Sequence, residues 1–354
     1  MRWVLLLGAV FLGACGGSAK GTTAPSGDGG SPGAKAYVTV YGLDEIAVID
    51  TASRAVVDHI ALGSGRGPAI LLKTPDGSKL YAADWKDNTL TSVNVATRAV
   101  TPIQFGSRPW VEAMSPKGDF VYAGLNTMEI AVVSTATDTV TQMMDMGSQI
   151  PESIVVSPDG ATLYVAMGLV SGTVAAFSAS TGAMVQPPIA VGTAPAWISI
   201  SPDGSKVFTL NFLSSSVSVI DTTSWTVSAT IPVGSNSEPI IGAATPSGSL
   251  VVTDFQTADI SVLDTTGNKV AHTLKVDGRP VGIDISADGT RGYVTDFGHA
   301  SLAIAPDPLS LTSGDLSSSI GPGPGEVVIF DPATGAAIGD PIAVGAGPTS
   351  VVVE

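Results

Sequence analysis

Apolar and polar positions along this chain recur as four short runs in a fixed order, seen most clearly between Gly192 and Gly234. GTAPAWISIS (192–201) places an apolar run behind a Gly-x-x-Pro loop. A Pro-Asp-Gly turn follows, and KVFTLN (206–211) is centred on an aromatic. VSVIDTTS (217–224) alternates and ends in a polar cap, and TVSATIPVG (226–234) closes the unit on Val-Gly. Runs this short, rich in Val, Ile and Thr and split by Gly, Pro and Asp, predict four antiparallel strands in one sheet.

The unit is repeated. SPDGSKVFTLN from Ser201 has close copies in TPDGSKLYAAD from Thr74, SPKGDFVYAGL from Ser115, SPDGATLYVAM from Ser157 and SADGTRGYVTD from Ser286. Aligned on the motif aromatic, the units fall at Tyr37, Tyr81, Tyr122, Tyr164, Phe208, Val251 (the weakest copy) and Tyr293, in steps of 41–44 residues. That is the period of a propeller blade. The turn residues recur for local reasons: Pro fixes φ, Asp bonds the backbone ahead of it, and Gly takes the positive φ that closes the hairpin. Asp50, Asn94, Ser134, Ser178, Asp221, Asp264 and Asp331 fill one slot after the third strand. There a side-chain acceptor meets the free N–H groups of the next turn, so these residues are expected to be structural.

The chain ends complete the topology. Residues 36–40 read as a second strand with no inner strand before it, and 348–353 read as an inner strand with no sequel. The expected fold is all-β: a seven-bladed β-propeller of four-stranded antiparallel blades, closed by the C-terminal strand completing the first blade. The motif YVTD (293–296), YVAM (164–167) and FTLN (208–211), with SPDG before it and VSVID after it, resembles the YVTN-repeat β-propellers over nearly all of residues 36–354. The Trp-Asp dipeptide of WD40 blades is absent at the blade ends. The resemblance implies a fold within the lactonase-like propeller superfamily. It does not imply one activity, because this architecture hosts binders, lactonases and cofactor enzymes.

Composition narrows partners and location. The chain of 354 residues is 44 % apolar and 13 % charged, with 41 Gly, 24 Pro and a net charge of −15. That acidity argues against nucleic acid and against a polybasic contact with anionic lipid. Residues 1–14 carry one positive charge, Arg2, and an apolar run from Val4 to Leu12, which reads as a signal peptide. Leu12-Gly13-Ala14-Cys15 looks like a bacterial lipobox, so Cys15 is the expected lipidation site. Residues 15–35 read as a Gly/Ser-rich flexible tether before the propeller of 36–354. The expected location is the cell envelope, lipid-anchored at the outer membrane or cell surface and facing periplasm or exterior. With the one cysteine acylated, disulfides, cysteine nucleophiles and thiolate metal sites are excluded.

Candidate chemistry gathers where Gly-x-x-Pro loops and the loops after second strands share one face, at the channel mouth. The second set offers Asp84-Trp85, Asn211-Phe212, Asp254-Phe255 and Asp296-Phe297, against Val40, Leu125 and Met167 in the other three blades. A lopsided polar rim is therefore expected, or else a set of turn caps. Arg66, Arg108 and Arg279 come from the first set, with Glu152 and Glu238 nearby. Arginine forks suit a carboxylate or phosphate guest, and pairing with those glutamates is the expected arrangement. Glu112 and Asp284 stand where other inner strands have mostly apolar or small residues. A buried acid must find a partner or shift its pKa upward, which makes Glu112, Glu152 and Asp284 the catalytic candidates.

Residues 298–326 form a long insertion in the last blade, expected to be a lid, a partner-binding flap or plain disorder. The three histidines, His59, His272 and His299, show no metal-site spacing, and no Gly-x-Ser-x-Gly elbow, P-loop or dinucleotide fingerprint is present. No metal or cofactor is expected. The preferred function is a monomeric, non-catalytic binding module for an envelope protein, glycan or small molecule. The alternative is a lactonase-like hydrolase with acidic and Arg residues at the mouth.

Overall fold

The computed structural model describes residues 33–168, 170–298 and 325–354. The signal peptide, Cys15, most of the tether, His299 and nearly all of the 298–326 insertion lie outside the described residues. Among the described residues every regular element is a strand, and no helix is long and apolar enough to cross a membrane.

Seven antiparallel sheets are arranged in a ring. Their inner strands are Pro348–Val353, Pro68–Lys73, Pro109–Met114, Pro151–Val156, Pro195–Ile200, Pro239–Ala244 and Pro280–Ile285, for the first to seventh blades. Each inner strand meets the next around the ring, and the seventh returns to the first. Six blades have four strands; in the seventh the outer position is split into Ala336–Ala337 and Ile342–Gly345, which both pair with Gly325–Asp331. Gly339 at φ 58° and Pro341, which has no N–H to give a ladder, separate the two pieces.

The core lies between blades. Each of the motif aromatics packs in a cluster shared with the following blade: Tyr37 with Leu71 and Leu80, Tyr81 with Val121 and Ala123, Phe208 with Leu250 and Val252, Tyr293 with Val38 and Val351. The weakest copy, Val251, does the same against Ile283 and Val294. Each such side chain contributes roughly 1.5–3 kcal/mol by leaving water. Two of the tyrosine hydroxyls keep carboxylate partners: Tyr37 donates to Glu354 at 3.0 Å and Tyr81 to Asp138 at 2.6 Å.

The Pro-Asp-Gly turns follow the expected chemistry. Asp203 Oδ1 accepts from the Ser201 hydroxyl at 2.6 Å and the Ser205 N–H at 3.0 Å, and Gly204 has φ 73°. These bonds hold the Asp203 carboxyl down at about 2. The slot after the third strand also caps its turn. Asp221 accepts from Ser224 N–H at 2.7 Å, Asp264 from Gly267 N–H at 2.8 Å and Asn94 from Thr97 N–H at 2.9 Å.

Closure joins the two ends of the chain. Ala36 pairs with Val353, Val38 with Val351 and Val40 with Pro348. Around this ladder, Glu354 accepts from the Lys35 N–H and the Tyr37 hydroxyl, both at 3.0 Å. Asp284 belongs to the same clasp. Its carboxylate accepts from Val353 N–H at 2.8 Å and Ile285 N–H at 2.9 Å, tying the seventh blade to the terminal strand.

Candidate functional site

In every blade the proline opening the inner strand pairs with the last residue of the second strand. The pairs are Pro348–Val40, Pro68–Asp84, Pro109–Leu125, Pro151–Met167, Pro195–Asn211, Pro239–Asp254 and Pro280–Asp296. These pairs mark the mouth, and the Pro-Asp-Gly turns lie at the other end.

Directly after that proline every inner strand carries a bulge. A bulge adds a residue and re-aims its side chain. The residues after the prolines are Thr349, Ala69, Trp110, Glu152, Ala196, Ile240 and Val281. Only Trp110 and Glu152 bring an aromatic ring or a charge to this position, so two adjacent blades stand apart from the other five.

Around them the structure gathers part of the candidate set. The half-buried rings of Trp85 and Trp110 stack with centroids 4.9 Å apart and planes 10° from parallel. Arg108 donates from Nε to the Trp85 carbonyl at 3.1 Å, so the third-blade loop is tied to the second. Burial pushes its guanidinium pKa down. Glu152 is buried, and burial pushes its carboxyl up to about 7 while the neighbouring Trp110 indole draws it partly back.

Two further acids are buried in the third and second blades, Glu112 and Asp84. Glu112 pairs with Ala123 and so lies on the third-blade face that packs against the second blade. Both of its carboxylate oxygens are buried without a hydrogen-bond partner. Burial holds its pKa well above the usual carboxylate range, and the charge of Asp84 adds to the effect. Asp84 is fully buried. Its Oδ2 accepts from Thr89 at 2.9 Å and from Thr91, while Oδ1 has no partner. Burial pushes Asp84 up to about 7. The indole N–H of Trp85 is also buried and unsatisfied. Glu112 thus faces the second blade from the third, whereas Asp84 shares a face with Leu80 and Ala82, which pack against the first.

The remaining candidates are placed differently. The polar heads do not stand on a rim: Asp84, Asn211, Asp254 and Asp296 are all buried. They face their own blade or its loop. Asn211 donates to Ser216 at 3.2 Å and Ser218 at 2.9 Å, and Asp254 accepts from Ser261 at 2.5 Å. Burial pushes Asp254 up to about 7. Asp296 clasps its loop through the N–H groups of Gly278, Arg279 and Gly298 at 2.8–2.9 Å. Two residues after Trp85, Asp87 takes Arg66 at 2.7 Å, in place of the expected glutamate. Arg279 bonds Gln256 at 2.8 Å and lies 4.8 Å over the Phe255 ring. Glu238 is half-buried; burial pushes its carboxyl up, and Arg279 draws it back. Asp284, at the opposite end of its inner strand from the mouth, is pushed up to about 6 by burial and drawn back by its two N–H partners.

Trp110 escaped the sequence reading. Its signal was the register after the conserved-looking Gly-x-x-Pro loop within this chain, where six of the seven blades have no aromatic. Among the described residues no group of three His, Cys, Asp or Glu could hold a metal ion.

No family model matches this chain, and no curated protein does. Among solved structures it is similar to a chain of Kuenenia stuttgartiensis hydrazine synthase, at 21 % identity and a TM-score of 0.65, over 81 % of this chain and 90 % of that one. At that identity the likeness shows the propeller fold alone.

Proposed function

We propose that this chain is a lipid-anchored β-propeller of the YVTN-repeat type, acting outside the cytoplasm as a non-catalytic binding module. Its ligand is taken at the channel mouth beside the second, third and fourth blades. The observation that carries the reading is the Trp85–Trp110 stack, with Arg108 and Glu152 around it. Partly exposed aromatic faces beside a few polar groups are what a recognition surface needs. The Leu12–Cys15 sequence and the Gly/Ser-rich segment behind it support the anchor.

The test uses the Cys15→Ser form, which is expected to leave the membrane fraction; continued sedimentation with membranes would remove the anchor from the reading. Retention of that form on washed envelope material is then compared with Cys15→Ser/Trp110→Ala. The binding reading expects at least a tenfold loss, and equal retention by both forms overturns it.

One observation favours the hydrolase alternative: Glu152 at about 7 lies in the range suited to proton transfer near neutral pH. Turnover of a lactone panel by the full chain, abolished in Glu152→Gln and Glu112→Gln, would replace the binding reading. Asp284 is assigned to the strand clasp in either case.

A further inference from the structure

The outer strand of each blade is paired on one side only, so seven strand edges face outward around the ring. An edge left this way is a template for another strand, and folded proteins ordinarily blunt it with a charge or a proline. The first-blade edge, Ala55–Ala61, has Asp58 at its centre, held at 2.8 Å by Arg98 of the second blade. Proline interrupts the second and fourth edges, with Pro102 inside Val100–Gln104 and Pro187 and Pro188 inside Met184–Ala190. The third, Thr139–Asp145, is bracketed by Asp138 and Asp145. Lys269 and Lys275 end the sixth, and Asp340 and Pro341 split the seventh. The fifth, Thr226–Pro232, reads TVSATIP and has no such device before its last residue. No charged residue lies anywhere from 222 to 237. The bulge at Ser228 recurs in the first, third and sixth blades, so it does not set the fifth apart.

The wall beside this edge is apolar as well. Among the described residues, all of the exposed large hydrophobic side chains except Leu43 and Val57 fall on the third to fifth blades. No Lys or Arg occurs between Lys117 and Lys206. The Trp225 indole donates to the Pro187 carbonyl at 2.8 Å and its ring stacks on Tyr164, which joins the outer edges of the fourth and fifth blades into one surface. Val185 and Val227 are exposed there. Apolar surface gathered in this way marks an association site.

Charge selects the occupant. The chain carries −15, so its copies repel one another wherever acids meet, and a basic partner finds its complement everywhere but here. Antiparallel pairing of an edge with its own copy would set Asp58 against Asp58 on the first blade, Lys269 against Lys275 on the sixth, and Asp145 beside Asp138 on the third. Like charges placed opposite one another are destabilising. On the fifth blade the same pairing opposes only Thr, Val, Ser, Ala and Ile up to Pro232. A strand meeting its own copy antiparallel is also the self-complementary contact that two-fold symmetry requires.

We propose that two copies of this chain associate through the fifth-blade edge, Thr226–Pro232 of one running antiparallel to the same strand of the other, with exposed side chains of the fourth-blade edge packed beside the join. The two propellers then meet at their circumferences, and both mouths stay uncovered. This dimer replaces the monomer expected from the sequence.

The test follows the full chain carrying Cys15→Ser by sedimentation velocity over a hundredfold range of concentration. A reversible shift from monomer to dimer is expected. Val227→Lys/Thr230→Lys should raise the dissociation constant tenfold or more, whereas Val140→Lys on the third-blade edge should leave it within twofold. Thr230→Lys alone, with its melting curve recorded, serves if the double variant does not fold. Cys15 is the one cysteine of the chain, so Thr230→Cys in the same background forms a disulfide only with another copy. It should cross-link at least tenfold faster than Thr101→Cys on the second-blade edge. A monomer at every concentration overturns the inference, as does a dimer indifferent to both lysine variants or one dispersed by Val140→Lys. If the chain stays monomeric while Thr230→Lys lowers its retention on envelope material, the edge takes a foreign strand and the self-pairing is overturned. The Trp110 comparison tests the mouth separately, so the two readings fail independently.

Discussion

Asp84 and Asn211 occupy the same place in different blades and meet it with opposite hydrogen-bond polarity. Threonine hydroxyls donate to Asp84, whereas the Asn211 amide donates to serine hydroxyls. A hydroxyl serves in either direction, so the position accepts an acid or its amide. Asp84→Asn is therefore expected to fold with its blade intact. It should raise the melting temperature at about pH 8, where the buried carboxyl is otherwise forced to ionise. Calorimetry of the two forms checks this, and a lower melting temperature for the variant contradicts it. The four polar heads were legible as one repeated slot, but their burial was not. A polar residue followed by an aromatic reads alike whether it faces the channel or its own blade, and only the strand pairing decides which.

At the level of strands and loops, the loop before the inner strand is shaped by the head it covers. A Cβ at Gly192 would stand 2.5 Å from the Asn211 side chain. Gly192→Ala should cost about 1–3 kcal/mol, because a packed neighbour must move to admit it; urea denaturation measures the change, and an unaltered midpoint would contradict the proposed crowding. Strands and turns were readable from the chain because alternation, Pro-Asp-Gly and the polar slot each have a local cause. The bulge after each inner-strand proline was not, since it is a mismatch between two strands and leaves no mark in either alone. Trp110 and Glu152 owe their position to it. Glu112 and Asp284 both stood out as acids in apolar slots, yet one has no partner and the other holds two backbone N–H groups. That difference depends on what the adjoining blade presents.

For the whole molecule, two sets of carboxyls give stability opposite dependences on pH. Asp84, Glu152 and Asp254 are raised to about 7 in the fold. Between roughly pH 4 and 7 the folded chain keeps protons that the unfolded chain releases, so their effect weakens the fold as pH rises. Asp76 and Asp203, held at about 2, act in the other direction: their contribution is complete above roughly pH 4 and is lost as pH falls toward 2. The melting temperature should peak near about pH 5 and decline on both sides. A profile rising steadily from pH 5 to 8 would contradict the assignment. Ring closure, readable from an unmatched strand at each end of the sequence, predicts that deleting residues 346–354 abolishes cooperative unfolding; a truncated form melting like the parent would contradict it. The register that closes the ring also sets a direction. Lys35 lies opposite Asp50 at one end of its strand, and Val40 lies beside Pro348 at the other, with the mouth. A strand of six residues spans about 20 Å. Gly33 and Ala34 therefore lie at the underside, a strand's length from the rim bordered by Trp85 and Trp110, so a tag or spacer joined there leaves the mouth uncovered.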